Sequence, residues 1–92
     1  MIKGYRSKAL ELFATTGNAS KLPVKNHARV RRILAALDAA TIPEDMDLPG
    51  LRFHGLHGDP KRYAVDASGN YRITWEWEEP SDAVRVDLED YH

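Results

Sequence analysis

The chain has 92 residues, 42% of them hydrophobic and 29% charged, with a formal net charge of −1. This describes one small domain spanning residues 1–92, and the lack of cysteine excludes a disulfide framework or a thiolate metal centre, so the fold must rest on its apolar core. The longest apolar run, Ile33-Leu34-Ala35-Ala36-Leu37, is far short of the roughly 20 residues that cross a bilayer. Glu11 also interrupts the stretch a signal peptide would need, so a cytoplasmic setting with no membrane partner is expected.

The opening Met1-Ile2-Lys3-Gly4-Tyr5 alternates apolar and polar residues and predicts a short strand. Ser7 then reads as the cap of a helix over Lys8–Thr15, with Ala9, Leu12 and Phe13 on one face and Gly17-Asn18 as its stop. A longer helix is predicted from Pro23, tolerated in a first turn, to about Ala40. Its apolar stripe is Ala28, Val30, Ile33, Leu34 and Leu37, and its opposite face carries Lys25, Arg29, Arg31 and Arg32. His27 reads as an ordinary surface residue at the start of that helix.

After Ile42-Pro43 and the acidic loop Glu44-Asp45-Met46-Asp47 the apolar period changes from 3.6 to 2. Four strands are predicted near Leu51–Leu56, Arg62–Ala67, Asn70–Trp77 and Ala83–Leu88, joined by Gly58-Asp59-Pro60, Ser68-Gly69 and Glu79-Pro80-Ser81. Tyr71, Ile73, Trp75 and Trp77 share one face of the third strand, and Val84, Val86 and Leu88 share one face of the fourth; both are assigned to the core. Two helices followed by four or five strands imply an α+β domain, with the helices packed on one face of a twisted, mainly antiparallel sheet.

The other sheet face holds the chemistry. Arg72 and Thr74 alternate with the aromatic row, Arg52 and His54 with Leu51 and Phe53, and Arg62 with Tyr63, so basic and titratable residues share the open side, rimmed by Lys61. Charge along the chain favours the same reading: residues 1–62 carry 11 Lys+Arg against 6 Asp+Glu, whereas residues 63–92 carry 2 against 8. A basic surface suits a phosphodiester. Cleaving RNA requires a base for the 2′-OH proton, a cation for the added charge on phosphorus and an acid for the departing 5′ oxygen. Histidine suits the proton transfers near neutral pH, and arginine suits the charge. His54 and His57 make a poor metal pair, because residues three apart on a strand face opposite sides, and no cofactor is expected. Ser7, Ser20, Ser68 and Ser81 lack a nucleophile-elbow context, and no glycine-rich phosphate loop is present.

Three ordered segments carry a family resemblance: Pro49-Gly50-Leu51-Arg52-Phe53-His54-Gly55-Leu56-His57-Gly58-Asp59, Gly69-Asn70-Tyr71-Arg72-Ile73-Thr74-Trp75, and Val86-Asp87-Leu88-Glu89-Asp90-Tyr91-His92. With Met1-Ile2-Lys3 and the helix from Arg31 to Ala40, they make essentially the whole chain resemble the HigB toxins of the RelE/ParE superfamily. The resemblance implies a RelE-like fold and a type II toxin that cuts mRNA in the ribosomal A site by 2′-OH attack on the adjacent phosphate. It implies catalytic roles for His54, Arg72, Tyr91 and His92; His57, Lys61 and Arg62, on or beside the open face, are the supporting or substrate-binding candidates. Arg72 would meet the phosphorane charge, His92 would transfer a proton, His54 would orient or transfer one, and Tyr91 would position the base or backbone. The implied partners are the ribosome, its mRNA and a HigA-like helix-turn-helix antitoxin, with operator DNA reached only through that antitoxin. The chain departs from the family pattern at His57, where a lysine is usual, at Gly55 in place of proline, and at Ala64 in place of a second aromatic residue. Within the same superfamily a ParE-like gyrase inhibitor is the alternative, as is an inactive antitoxin-binding module.

Overall fold

Ser7 and Asn26 set where the two helices begin. The computed structural model describes residues 1–90. The Ser7 hydroxyl accepts the Leu10 N–H at 3.1 Å and opens α1 (Lys8–Thr16), which ends at Gly17, where φ is 78° and the N–H donates to the Phe13 carbonyl. The buried face of α1 is Leu10 and Phe13, so Leu10 leads into the core in place of the expected Ala9 and Leu12. The Asn26 side chain accepts the Arg29 N–H at 3.0 Å and starts α2 (His27–Ala39). The predicted start at Pro23 is therefore several residues early: this cap satisfies a first-turn donor only after Pro23, Val24 and Lys25 have passed. Val30, Ile33, Leu34 and Leu37 form the buried stripe, whereas Ala28 is exposed, as is His27.

The acidic loop contains a 3-10 turn, Pro43–Met46, pinned by the Asp45 carboxylate, which accepts the Thr41 N–H at 2.9 Å and the Thr41 hydroxyl at 3.1 Å. These bonds hold the Asp45 carboxyl below its ordinary pKa. The turn carries Met46 fully into the core.

The sheet follows as β1 (His54–Leu56), β2 (Arg62–Asp66), β3 (Tyr71–Glu78) and β4 (Asp82–Asp90), an antiparallel meander in the order β1-β2-β3-β4. β1 is shorter than expected because Gly50 (φ 82°) and Arg52 (φ 54°) turn the chain, leaving Leu51–Phe53 outside the ladder. The opening segment lies beside β4 through two parallel bridges, Ile2 to Ala83 and Tyr5 to Val86, and the Ile2 N–H donates to Asp38 of α2.

One face of the sheet meets both helices. Leu10, Phe13, Val30, Ile33, Leu34 and Leu37 pack with Val65, Ile73, Trp75, Ala83 and Val86, while Phe53, Tyr63 and Trp75 stack at centroid spacings of 6.0–6.3 Å. This is the two-layer α+β arrangement that the pattern predicts. Val84 corrects the expectation for β4. Thr74 pairs with Asp87 but Glu76 pairs with Val84, so β4 carries an extra residue between these pairs, at Arg85 with φ 50°. The bulge reverses the phase, placing Ala83 with Trp77 on the core side and Val84 with Glu76 on the other. Val84 is buried but stands outside the core cluster, as does Ala64.

Candidate active site

The register arranges the open face in rows. Asp66, Arg72 and Glu89 lie side by side across β2, β3 and β4; the next row runs His54, Ala64, Thr74 and Asp87, and the third Leu56, Arg62, Glu76 and Val84. Strand alternation thus brings His54, Arg62 and Arg72 to one face, as expected. Two inter-strand spacings and one two-residue step separate the Cα atoms of His54 and Arg72, roughly 12 Å. A histidine and an arginine at that separation can reach one phosphodiester held between them, above a row in which Ala64 and Thr74 are themselves covered by their neighbours.

His54 is exposed at the sheet edge, and its Nδ1 lies 2.8 Å from the Arg52 carbonyl oxygen. A carbonyl can only accept, so this bond places the proton on Nδ1 and leaves Nε2 of the neutral ring as a proton acceptor facing solvent. The positive φ of Arg52 belongs to the same turn that presents its carbonyl to the ring.

The expected open face is basic; the structure makes it an ion-paired one. Arg62 Nη1 contacts Glu89 Oε2 at 2.5 Å, the Thr74 hydroxyl donates to the same oxygen at 2.5 Å, and Arg72 Nη2 lies 3.9 Å from Glu89 Oε1. Arg52 Nε is 3.6 Å from Asp66, and Arg85 pairs with Glu76 at 3.1 Å. Partial burial works against ionisation of Glu89, but the Thr74 hydroxyl and the two arginines outweigh it and hold the carboxyl below its ordinary pKa. Thr74, 1% exposed, is the one buried polar residue of the described chain, and its bond to Glu89 accounts for its tolerance there.

The remaining expected residues separate. Lys61 does not join Arg62: its Nζ lies 5.2 Å from the Tyr63 ring centroid, on the Tyr63 side of the strand. His57 is exposed in the loop after β1. Tyr91 and His92 lie outside the described residues. Arg29, read as part of a bare basic helix face, instead clamps α2 to the sheet through the carbonyls of Gly50 (2.8 Å) and Asp66 (2.9 Å). Sequence reasoning missed Glu89. Its signal was present in the alternation of Asp87 and Glu89 with Val86 and Leu88, which puts both carboxylates on the open side; which arginines they meet depends on register.

Among the described residues no group of three His, Cys, Asp or Glu side chains is gathered to hold a metal ion. A cleft of about 650 Å³, lined in part by Asn26, Arg29, Gly50, Asp66, Asn70 and Tyr71, borders the end of the face at Asp66. The arrangement can bind an anion through guanidinium groups and accept a proton at His54 beside it.

In comparison with known proteins, a family model described as the RelE-like toxin of type II toxin-antitoxin system HigB matches residues 3–92. No curated protein matches the chain.

Proposed function

This chain belongs to the HigB-like family of RelE-like type II toxins, and on that premise we propose that it is an endonuclease that cuts mRNA in the ribosomal A site and so halts translation. The observation that carries this reading is the sharing of one sheet face by Arg72, Arg62 and a His54 whose Nε2 is left as an acceptor. In the proposed reaction His54 Nε2 takes the ribose 2′-OH proton as O2′ attacks the adjacent phosphorus. Arg72 meets the charge that builds on the phosphoryl oxygens, and His92 protonates the departing 5′ oxygen, leaving a 2′,3′-cyclic phosphate and a 5′-hydroxyl. Tyr91 would position the base or backbone. His57, in the loop beyond β1, is the candidate for the cation that the family usually supplies as lysine; Lys61, held against Tyr63, would need to change rotamer to reach the same face.

A type II toxin has an antitoxin as partner, and we assign that role to a HigA-like helix-turn-helix protein, through which alone operator DNA is reached. The cytoplasm, where ribosomes are, is the proposed location; among the described residues no helix is long and apolar enough to cross a membrane.

Primer extension on a defined mRNA, held in ribosomes with an empty A site and in parallel free in solution, tests the reading. A cut made only on ribosomes and lost in Arg72→Ala and in His92→Ala supports it. A folded protein that binds ribosomes and leaves the mRNA intact favours an inactive antitoxin-binding module, and failure to bind ribosomes points to a ParE-like gyrase inhibitor.

A further inference from the structure

Glu89 stands where nothing in the proposed reaction requires a carboxylate. It lies on the same face as the cations that would grip the phosphodiester, cross-strand from Arg72 and in direct contact with Arg62. An anion at that spot opposes a substrate phosphate, so its presence needs a reason beyond solubility. The geometry supplies one. Oε2 takes two donors at once, the buried Thr74 hydroxyl from β3 and Arg62 Nη1 from β2, while Oε1 faces Arg72 Nη2 at 3.9 Å. One carboxylate therefore ties three strands of the face together. Side-chain exposures of 32% for Arg62, 23% for Arg72 and 24% for Glu89 put the group in partly desolvated surroundings, where the attraction is stronger than between solvated ions. An arginine on a flexible stem is a poor transition-state cation unless its fork is held before the reaction begins.

We propose that Glu89 is a positioning residue for RNA cleavage, holding the guanidinium groups of Arg62 and Arg72 in the orientation in which they receive the phosphorane charge. The assignment rests on the endonuclease reading above and deepens it. Thr74 is the anchor of the device, because its hydroxyl fixes Glu89 from beneath and does not itself reach the surface. Two opposed effects follow from removing the charge. The face becomes more cationic and attracts RNA more strongly, while its arginines gain rotational freedom and lose alignment. Binding and turnover should therefore move in opposite directions, a separation that simple loss of folding cannot produce.

The test is Glu89→Gln, which keeps the size of the side chain and an acceptor oxygen but removes the charge. Cleavage of ribosome-bound mRNA is measured for kcat and KM, alongside the side-chain Nε–Hε resonances of Arg62 and Arg72. A fall in kcat on the order of tenfold or more, with KM unchanged or lower and with faster rotation of both guanidinium groups, is the expected result. A wild type that cuts beside a Glu89→Gln protein of equal kcat overturns the assignment of Glu89 alone, as does hindered rotation that survives the substitution. A KM increase that accounts for the whole loss also overturns it, since that would make Glu89 part of substrate binding. Wild-type protein that leaves A-site mRNA intact overturns the endonuclease reading, and this assignment with it. Should Glu89→Gln fail to fold, Thr74→Val, which leaves the carboxylate but removes its anchor, is expected to lower kcat in the same way, and an unchanged kcat in that variant refutes the proposal.

Discussion

Replacing Thr74 by valine removes a single hydroxyl from the interior and leaves its shape nearly unchanged, which isolates one bond at the centre of the site. Thr74 is 1% exposed and donates to Glu89 Oε2 at 2.5 Å, while the Glu89 side chain is 24% exposed and can take a water in exchange. A hydrogen bond to a charged group contributes roughly 1.5–3 kcal/mol, and partial exposure brings the expected loss to about 1–2 kcal/mol. For a domain of this size that lowers the midpoint of thermal unfolding by roughly 4–16 °C at neutral pH. The pH dependence gives a second reading of the same bond. The folded-state pKa of Glu89 lies below its ordinary value of 4.5, so its stabilisation is present above that value and is lost as pH falls through the folded pKa. Without the Thr74 donor the folded pKa moves back up, so the gap between wild type and Thr74→Val should be widest near neutrality and close in strong acid. Thr74→Ser, which keeps the hydroxyl, should retain the acid dependence of the wild type. Circular-dichroism melts across this range provide the assay. A Thr74→Val protein as stable as wild type at neutral pH, or a gap that persists unchanged into strong acid, refutes the reasoning.

Other consequences are simpler to state. Trp75→Ala, which empties a fully buried site stacked against Phe53 and Tyr63, should cost about 3–5 kcal/mol and lower the midpoint by roughly 12 °C or more. Trp75→Phe should cost much less, because the indole N–H has no acceptor among the described residues; calorimetry distinguishes the two. Arg72→Ala should reduce ribosome-dependent cleavage by about 100-fold or more, in the range seen when a donor to a developing oxyanion is removed, with ribosome binding retained in a pelleting assay. Ribosome binding should weaken steeply as salt rises, since a basic surface on phosphate backbone releases counterions; a flat response counts against docking on ribosomal RNA.

Much of this architecture was legible from local pattern. The shift from period 3.6 to period 2 marks the boundary between helices and sheet, Ser7 marks the first helix start, and alternation in β3 separates Ile73 and Trp75 from Arg72 and Thr74. Those features depend on neighbours a few residues apart, which a linear reading contains. Asn26, at the true start of α2, was passed over because Pro23 offered an equally local signal, and only side-chain geometry distinguishes a cap from a nearby polar residue.

What the linear order does not contain is which strand positions lie opposite one another. Lys61 and Arg62 are adjacent in sequence yet serve different faces, the first against Tyr63 and the second against Glu89, 27 residues away. The bulge at Arg85 inverts Ala83 and Val84 relative to Val86, a change of phase that strict alternation cannot anticipate. Residue types and their alternation thus determined that arginine and histidine would share the open face. The register of β2, β3 and β4 decided that Glu89 would meet Arg62, Arg72 and Thr74. Pairing across a sheet is settled by the packing of the whole core and its turns, not by the residues of any one strand.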